Sequence, residues 1–491
     1  MTKGFIPEAI MQGLLALTPE VFVLCLAFFI IIADLILPVK SKRNILDIAA
    51  VGLTGALLLT IGALFQQGMY IFNNALVVDS FARFFKIIIL VSAVFMLLMS
   101  RDYKALENNK IGEYTALVVL VTLGMMLMAG ASDLLMLFLS IEFVSIVFFV
   151  LVGFVKKDSK SREAAVKYFL IGAFSSAVFV YGASFLVGVT GASSFPSIQQ
   201  YLIAHGISNL FIVGLLLMLV GFGFKIALVP FHMWAPDAYE GAPAPVTAFL
   251  SVASKSAGVA VLIRTFLAIL PDNSNVNLIL ALLAAITMTV GNLVALTQNN
   301  AKRLLAYSGI AHVGFIMMGF VAYGLFGVQS VLIYTLAYLF TNMGAFAFVI
   351  AIYNKTGSDD IRDYGGLSLV SPALAFVFFV FLISLAGVPP TAGFLGKLLV
   401  LGAAIDSGYT WLAVIGVLNS VVSLYFYARI AYFMYFAKEK KITEAIKPSL
   451  SLNIIIYSSL FMVLYICLLP EQFLNLAKKT VQLLTGSFHG Y

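Results

Sequence analysis

The chain is 491 residues long, 62% hydrophobic and only 10% charged, with a mean hydropathy of +1.06. A soluble domain carries about 25% charged residues, so these values exclude a soluble globular protein and define a polytopic membrane protein. The net charge of +7 looks like a nucleic-acid signal, but its distribution among the loops, set out below, excludes that reading.

At about 20 apolar residues per crossing, the sequence predicts an all-α protein of fourteen transmembrane helices. They fall near 16–37, 45–65, 76–99, 112–130, 133–154, 163–189, 207–230, 245–270, 277–298, 302–323, 326–353, 372–405, 410–436 and 449–470. The first apolar run follows Glu20, contains Asp34 and lacks a small-residue exit, so it is expected to be retained as a helix and not cleaved as a leader. Helix 7 is interrupted at Pro230 and helix 12 at Pro389–Pro390, because proline removes a backbone donor and clashes with the preceding turn. Cys25 and Cys467 both lie in apolar runs and read as small packing residues. Two thiols are too few for a disulfide framework or an iron–sulfur cluster. No linker or soluble domain is expected. A single membrane domain, 1–491, divides into three N-terminal helices (1–111), two units (112–270 and 277–436) and a C-terminal helix with its tail (437–491).

The loops orient the chain. Lys40, Lys42 and Arg43, then Arg101, Lys104 and Lys110, then Lys156, Lys157, Lys160 and Arg162 occupy alternate loops. The pattern continues with Lys302 and Arg303, Lys355 and Arg362, and Lys438, Lys440, Lys441 and Lys447, whereas loops 66–79 and 190–206 carry no Lys or Arg. Basic loops stay in the cytoplasm, which places both termini outside. The basic excess is a topology signal.

A repeat lies in the spacing of the intramembrane charges. Glu142, Lys225 and Lys255 fall in helices 5, 7 and 8, at intervals of 83 and 30 residues. Five helices later His312, Lys397 and Arg429 fall in helices 10, 12 and 13, at intervals of 85 and 32. Both middle members sit beside a proline break, VPFH at 229–232 and VPPT at 388–391. An odd offset inverts the second unit in the membrane, so the pattern predicts two inverted five-helix repeats with discontinuous helices 7 and 12, a recurring transporter plan.

A charge at the bilayer centre costs at least about 2.5–3.5 kcal/mol, so each of these residues needs a reason. Glu142, nine residues into its helix, reads as a partner for Lys225 or Lys255. At an effective dielectric near 20, charges about 5 Å apart interact by roughly 3 kcal/mol, enough to switch whether a lysine holds its proton. The bland alternatives are, for Glu142, a neutral carboxylic acid hydrogen-bonded to a neighbouring helix and, for the lysines, a static ion pair locking helices together. His232 and His312 can accept and donate protons near neutral pH and so link lysines, or serve as hydrogen-bonded packing. Lys397 follows the second break by one or two turns, too far from either helix end to snorkel. Arg264 and Arg429 lie nearer helix ends and read as snorkelling residues, with Arg429's place in the repeat only suggestive. Asp34, Asp79, Arg83, Lys86, Asp133, Glu163 and Lys167 are also placed near ends, Lys167 deepest and able to extend a path. Asp237 and Glu240, after helix 7, gather protons or are simply solvated. No metal-ligand cluster, phosphate loop, nucleotide fingerprint or haem motif is visible, so no redox chemistry is expected of the chain itself.

The segments SIEFVS, GFGFKIALVPFHMWAPDAYEGAPAPVTAFLSVASK, NAKRLLAYSGIAHVGF and GVPPTAGFLGK carry a resemblance over essentially the whole chain. It resembles the antiporter-like membrane subunits of bacterial NADH:quinone oxidoreductase, respiratory complex I. Within them the GVPPTAGFLGK spelling looks most like subunit N. The resemblance implies a Glu142–Lys225 pair, Lys255 as central lysine, His312 as a bridge and Lys397 facing an outer half-channel. It also implies a bacterial inner-membrane protein without its own cofactor, moving protons from cytoplasm to periplasm. Neighbouring membrane subunits would be its partners, with FMN and iron–sulfur clusters on other subunits of the complex and quinone as the complex's substrate. The alternatives are a subunit of a multisubunit sodium/proton antiporter, a structural scaffold, and a quinone-reducing site within the chain.

Overall fold

A computed structural model describes residues 8–107, 110–269, 274–322 and 324–489. Thirteen of its helices are long and apolar enough to cross a membrane. In order they are Thr18–Ile36, Asn44–Gly62, Ser80–Arg101, Ile111–Ala129, Leu134–Val152, Ser159–Thr190 and Asn209–Ile226, hereafter spans 1 to 7. The bent helix Ala244–Ile269 is span 8; Val276–Ala295, Ala301–Val321 and Leu325–Thr356 are spans 9 to 11. Span 12 is split into Pro372–Ala386 and Ala392–Asp406, each too short to cross alone. Thr410–Phe436 and Leu450–Leu468 are spans 13 and 14. The chain is therefore all-α and polytopic, with two five-helix units inverted with respect to each other and a break in the fourth span of each.

Burial sorts the spans into layers. Every residue in the apolar window of span 8 is buried, as is 94% of that in span 10, against 22% in span 1. A helix apolar all round belongs inside a bundle or in lipid, and contacts decide which. Spans 8, 10 and 11 therefore form the axis, and they carry Lys255 and His312. Spans 1, 2, 6, 13 and 14 form the rim, with outward-facing residues such as Phe28, Phe174, Val421 and Phe461. Cys25 is also exposed on this rim, so it is not the packing residue expected of it.

Helix starts follow their caps. Span 3 begins four residues later than its hydropathy indicates because Leu76–Val78 pairs as a strand with Met69–Ile71. Asp79 then accepts the N–H of Ala82 as N-cap. Asp133, Asp158, Ser208, Asn300 and Ser449 cap spans 5, 6, 7, 10 and 14 in the same way. Among the described residues, helices outside the spans that were not anticipated include Glu8–Ala16, Phe195–His205, Trp234–Gly241 and Pro470–His489.

Candidate ion pathway through the broken spans

The two breaks are built alike. In span 7, Ala227 adopts a left-handed conformation (φ 61°) that ends the helix. Its N–H donates to the Phe224 carbonyl, and the Leu228 N–H to Gly223. In span 12, Gly387 (φ 87°) plays that part, its N–H donating to Ser384 and the Val388 N–H to Ile383. These reciprocal bonds satisfy carbonyls that a helix end leaves without partners. Side chains take up further freed groups, as backbone at membrane depth requires. Trp234 Nε1 donates to Phe224 O at 2.9 Å and the Val229 N–H to Thr287 Oγ1 of span 9 at 3.1 Å. In the second break Thr391 Oγ1 donates to Val388 O at 2.6 Å.

This correspondence pairs Ala227 with Gly387 and Pro230 with Pro390. It agrees with the order of residues in the sequence. Lys225 lies two residues before its left-handed residue, in the first half-helix, whereas Lys397 lies ten after its own, in the second. The lysines occupy matching spans but opposite sides of the break.

Lys225 is 1% exposed. Its Nζ donates to Ser145 Oγ at 3.2 Å and lies 5.9 Å from the Phe148 ring centre. Both partners stand on span 5, one and two turns beyond Glu142. Glu142 is half-buried and accepts a hydrogen bond from Ser176 of span 6. The expected Glu142–Lys225 contact is thus replaced by an electrostatic one. The carboxylate holds a serine and the ammonium holds another.

Lys255 follows a π-helical turn, Leu250–Ser254, in the middle of span 8. Such turns insert one extra residue, re-aim the side chains after it, and recur at functional sites. Among the described residues the Lys255 Nζ has no hydrogen-bond partner, and it lies 5.6 Å from the Tyr239 ring centre. It and the Tyr338 hydroxyl border the same spot on span 10, where a Cβ on Gly309 would lie 2.8 and 2.9 Å from them. The ring of Tyr338 is 5.0 Å from that of His312.

His312 is held from both sides. Its Nδ1 is 2.6 Å from Tyr334 Oη, and its Nε2 is 3.4 Å from Tyr427 Oη, itself 2.5 Å from Ser308 Oγ. The ammonium groups of Lys255 and Lys397 both act on it electrostatically. A small cavity of about 10 Å³, the size that admits one water, touches His312, Tyr334, Tyr338, Thr341, Ser384 and Gly393. Lys397 lies 4.7 Å from the Phe315 ring centre, and its Nζ donates to Ala386 O at 2.7 Å. That carbonyl closes the first half-helix, where the helix dipole favours a cation.

Lys255, His312 and Lys397 thus come together, and Lys225 stands one helix away, against Gly258 of span 8. His232 does not join them. It is buried in the first break with Nδ1 unpartnered, and no hydrogen bond among the described residues connects it to either lysine.

On the basic face Asp237 and Glu240 form one ion-pair cluster. Asp237 binds Lys167 at 2.9 Å and Arg303 at 2.7 Å; Glu240 binds Lys160 at 2.9 Å and Arg303 at 3.1 Å. Burial pushes both carboxyls up, but hydrogen bonds from these cations outweigh it and hold both below the usual carboxylate range. The cluster staples the helix Trp234–Gly241 to spans 6 and 10. Lys167 is exposed and belongs here, so it is not the deep residue the sequence suggested. Arg264 does not snorkel either: it is 2% exposed and binds Asp79 through two hydrogen bonds of 2.8 and 2.9 Å. Arg429 donates to the carbonyls of Leu296 and Gln298, closing the end of span 9. Tyr334, Tyr338, Tyr427, Ser145 and Ser176 were missed by the sequence reading, since neutral hydroxyls in apolar helices carry no distinguishing spacing. Among the described residues no three His, Cys, Asp or Glu side chains gather as a metal site.

Two broken spans, a buried lysine–histidine–lysine set and inverted repeats define the class of antiporter-like transmembrane proteins. A profile of the family described as NADH:quinone oxidoreductase/Mrp antiporter, transmembrane, matches residues 131–423. NADH-quinone oxidoreductase subunit N of Moorella thermoacetica is 41% identical over 469 residues, spanning 95% of this chain and 98% of its own. The subunit N of Trichlorobacter lovleyi is 44% identical over 85% and 86% of the two chains. Among solved structures, a chain of Thermus thermophilus respiratory complex I superposes with a TM-score of 0.80 at 30% identity, covering 94% of this chain and 99% of that one. A chain of an archaeal membrane-bound sulfane sulfur reductase gives 0.88 at 25%, covering 96% and 99%. The chain belongs to the NADH-quinone oxidoreductase subunit N family.

Proposed function

We propose that the chain translocates protons as a membrane subunit of a redox-driven NADH:quinone oxidoreductase, without a redox site of its own. The observation that carries this is the run of buried cations about one histidine: Lys225, Lys255, His312 and Lys397 are each 1–6% exposed. Charges that costly at membrane depth are retained for transport. Protons enter from the basic, cytoplasmic face beside the span 7 break and move through Lys225, Lys255 and His312. Lys397 releases them toward the periplasm, on whose side both termini lie. Glu142 biases Lys225 across span 5. His232, Asp237 and Glu240 serve at the entrance, while Lys167 and Arg429 hold the frame. Residues 112–270 and 277–436 act as two half-channels, with 1–111 and 437–491 packed around them. The subunit sits in a bacterial inner membrane beside other membrane subunits, and partner subunits carry the FMN and iron–sulfur clusters that oxidise NADH and reduce quinone. The test is Lys225→Ala or Lys397→Ala in the assembled complex. Each is expected to lower the number of protons moved per electron pair, and an unchanged ratio with both variants overturns the assignment.

A further inference from the structure

A second cavity lies away from this path, among spans 1, 2 and 3 on the face opposite the basic loops, with a volume of about 780 Å³. That is within the 300–1,000 Å³ of ligand pockets. It is lined by Gln12 and Thr18 from the start of the chain, Gln66 and Gln67 from the end of span 2, and Arg83 and Lys86 from the start of span 3. The same lining is apolar at Leu58 and Leu59 (64% and 44% exposed), one turn before the end of span 2, and at Leu15 (67%), in the short helix Glu8–Ala16 ahead of span 1. Glu20 and Lys86, 3% and 2% exposed, pair at 2.5 Å in its wall. Their charges largely offset each other, and Arg83, 6% exposed, is the remaining cation of the lining among the described residues, with no ion pair within 4 Å. Its guanidinium donates from Nη1 to Gln66 O at 2.7 Å.

The cavity does not read as a proton route. Behind it stands the Asp79–Arg264 pair, and a guanidinium does not release its proton in a protein. The cavity instead sets a buried guanidinium and three glutamines beside exposed leucines, the two kinds of surface a phospholipid carries. We propose that it binds one phospholipid, the phosphodiester on Arg83 with the three glutamines around the headgroup, and the acyl chains along Leu15, Leu58 and Leu59. One net positive charge meets one phosphodiester charge, and a planar guanidinium fits two phosphate oxygens at once.

Gly62 supplies a clean test. Gly62 lines the cavity and a Cβ there would meet nothing within 4 Å, so the side chain of Gly62→Leu starts into the cavity's open space. The assembled complex, reconstituted with phosphatidylglycerol bearing a photoreactive acyl chain, is irradiated and the labelled peptides of this chain are mapped. Labelling is expected at 55–63. It should fall roughly tenfold or more in Arg83→Gln, the factor one charge-assisted hydrogen bond carries, and equally in Gly62→Leu. Unchanged labelling in both variants overturns the proposal. So does loss of labelling on adding inorganic phosphate, which would mark a free-anion site, or loss of a neighbouring subunit from the Gly62→Leu complex, which would mark a seat for a partner's helix.

Discussion

The Lys397 ammonium donates to the carbonyl oxygen of Ala386 at 2.7 Å, so the lysine is anchored to the C-terminal end of the other half of its own span. A cation on a helix end is stabilised by the aligned carbonyl dipoles, and proton release from Lys397 therefore loosens the break. Lys397→Met keeps the volume and leaves that carbonyl without its donor, at a cost of about 1–3 kcal/mol. Hydrogen exchange at the amides of Gly387, Val388 and Thr391 should rise in Lys397→Met while spans 13 and 14 stay protected. Equal exchange would show that the lysine does not hold the break.

Gly309 separates a structural role for Lys255 from a transport role. Alanine inside a helix is more favourable than glycine by about 0.8–1 kcal/mol. Yet its Cβ would lie 2.8 Å from the Lys255 Nζ and 2.9 Å from the Tyr338 hydroxyl, so both must move. Gly309→Ala should leave thermal stability unchanged or raised and slow proton translocation severalfold. If translocation keeps its rate, the Lys255–Tyr338 gap is not on the path.

The Asp79–Arg264 pair ties span 3 to span 8 at full burial. Arg264→Met leaves a buried carboxylate unpaired, which costs about 3–5 kcal/mol, whereas removing both charges is close to neutral. Asp79→Asn retains an oxygen for the cap bond to the Ala82 N–H. The double variant Asp79→Asn/Arg264→Met should thus recover most of the stability that Arg264→Met alone loses. Thermal denaturation of the three variants in detergent decides this, and a double variant no better than the single would contradict it.

The basic-face cluster carries a pH dependence of known sign. Asp237 and Glu240 are held below their ordinary values of 3.8 and 4.5. Depressed carboxyls contribute stability above the unfolded value, and this is lost as pH falls through the folded one. The staple joining Trp234–Gly241 to spans 6 and 10 should hold unchanged from neutral pH down to about 5 and open at pH values below 4. Hydrogen exchange along Trp234–Gly241, followed as a function of pH with the intrinsic exchange rate corrected for, reads the opening directly. Opening that begins near neutral pH would implicate other groups.

Much of this was legible in the chain because membrane insertion is a local matter. A run of about 20 apolar residues must form a helix to satisfy its own backbone, and basic loops orient it. All fourteen crossings and both breaks follow from that, as does the presence of costly charges at Glu142, Lys225, Lys255, His312 and Lys397. What the pattern could not hold is which charge meets which. Hydropathy treats Arg264 as a residue near a helix end, but its partner, Asp79, lies 185 residues away, and only the packing of span 3 against span 8 brings them together. The same holds for Glu20 with Lys86, and for Glu142, which tertiary contact gives to Ser176 and not to Lys225. That Lys225 precedes its break and Lys397 follows its own is plain from the order of residues, whereas the carbonyl of Ala386 that Lys397 reaches back to is known only from the fold. Sequence alone determined how often this chain crosses the membrane and where its helices break, because each helix answers to lipid by itself. The partners of its buried charges were decided by the tertiary structure, because in a low-dielectric interior an ion's energy depends on neighbours that only folding supplies.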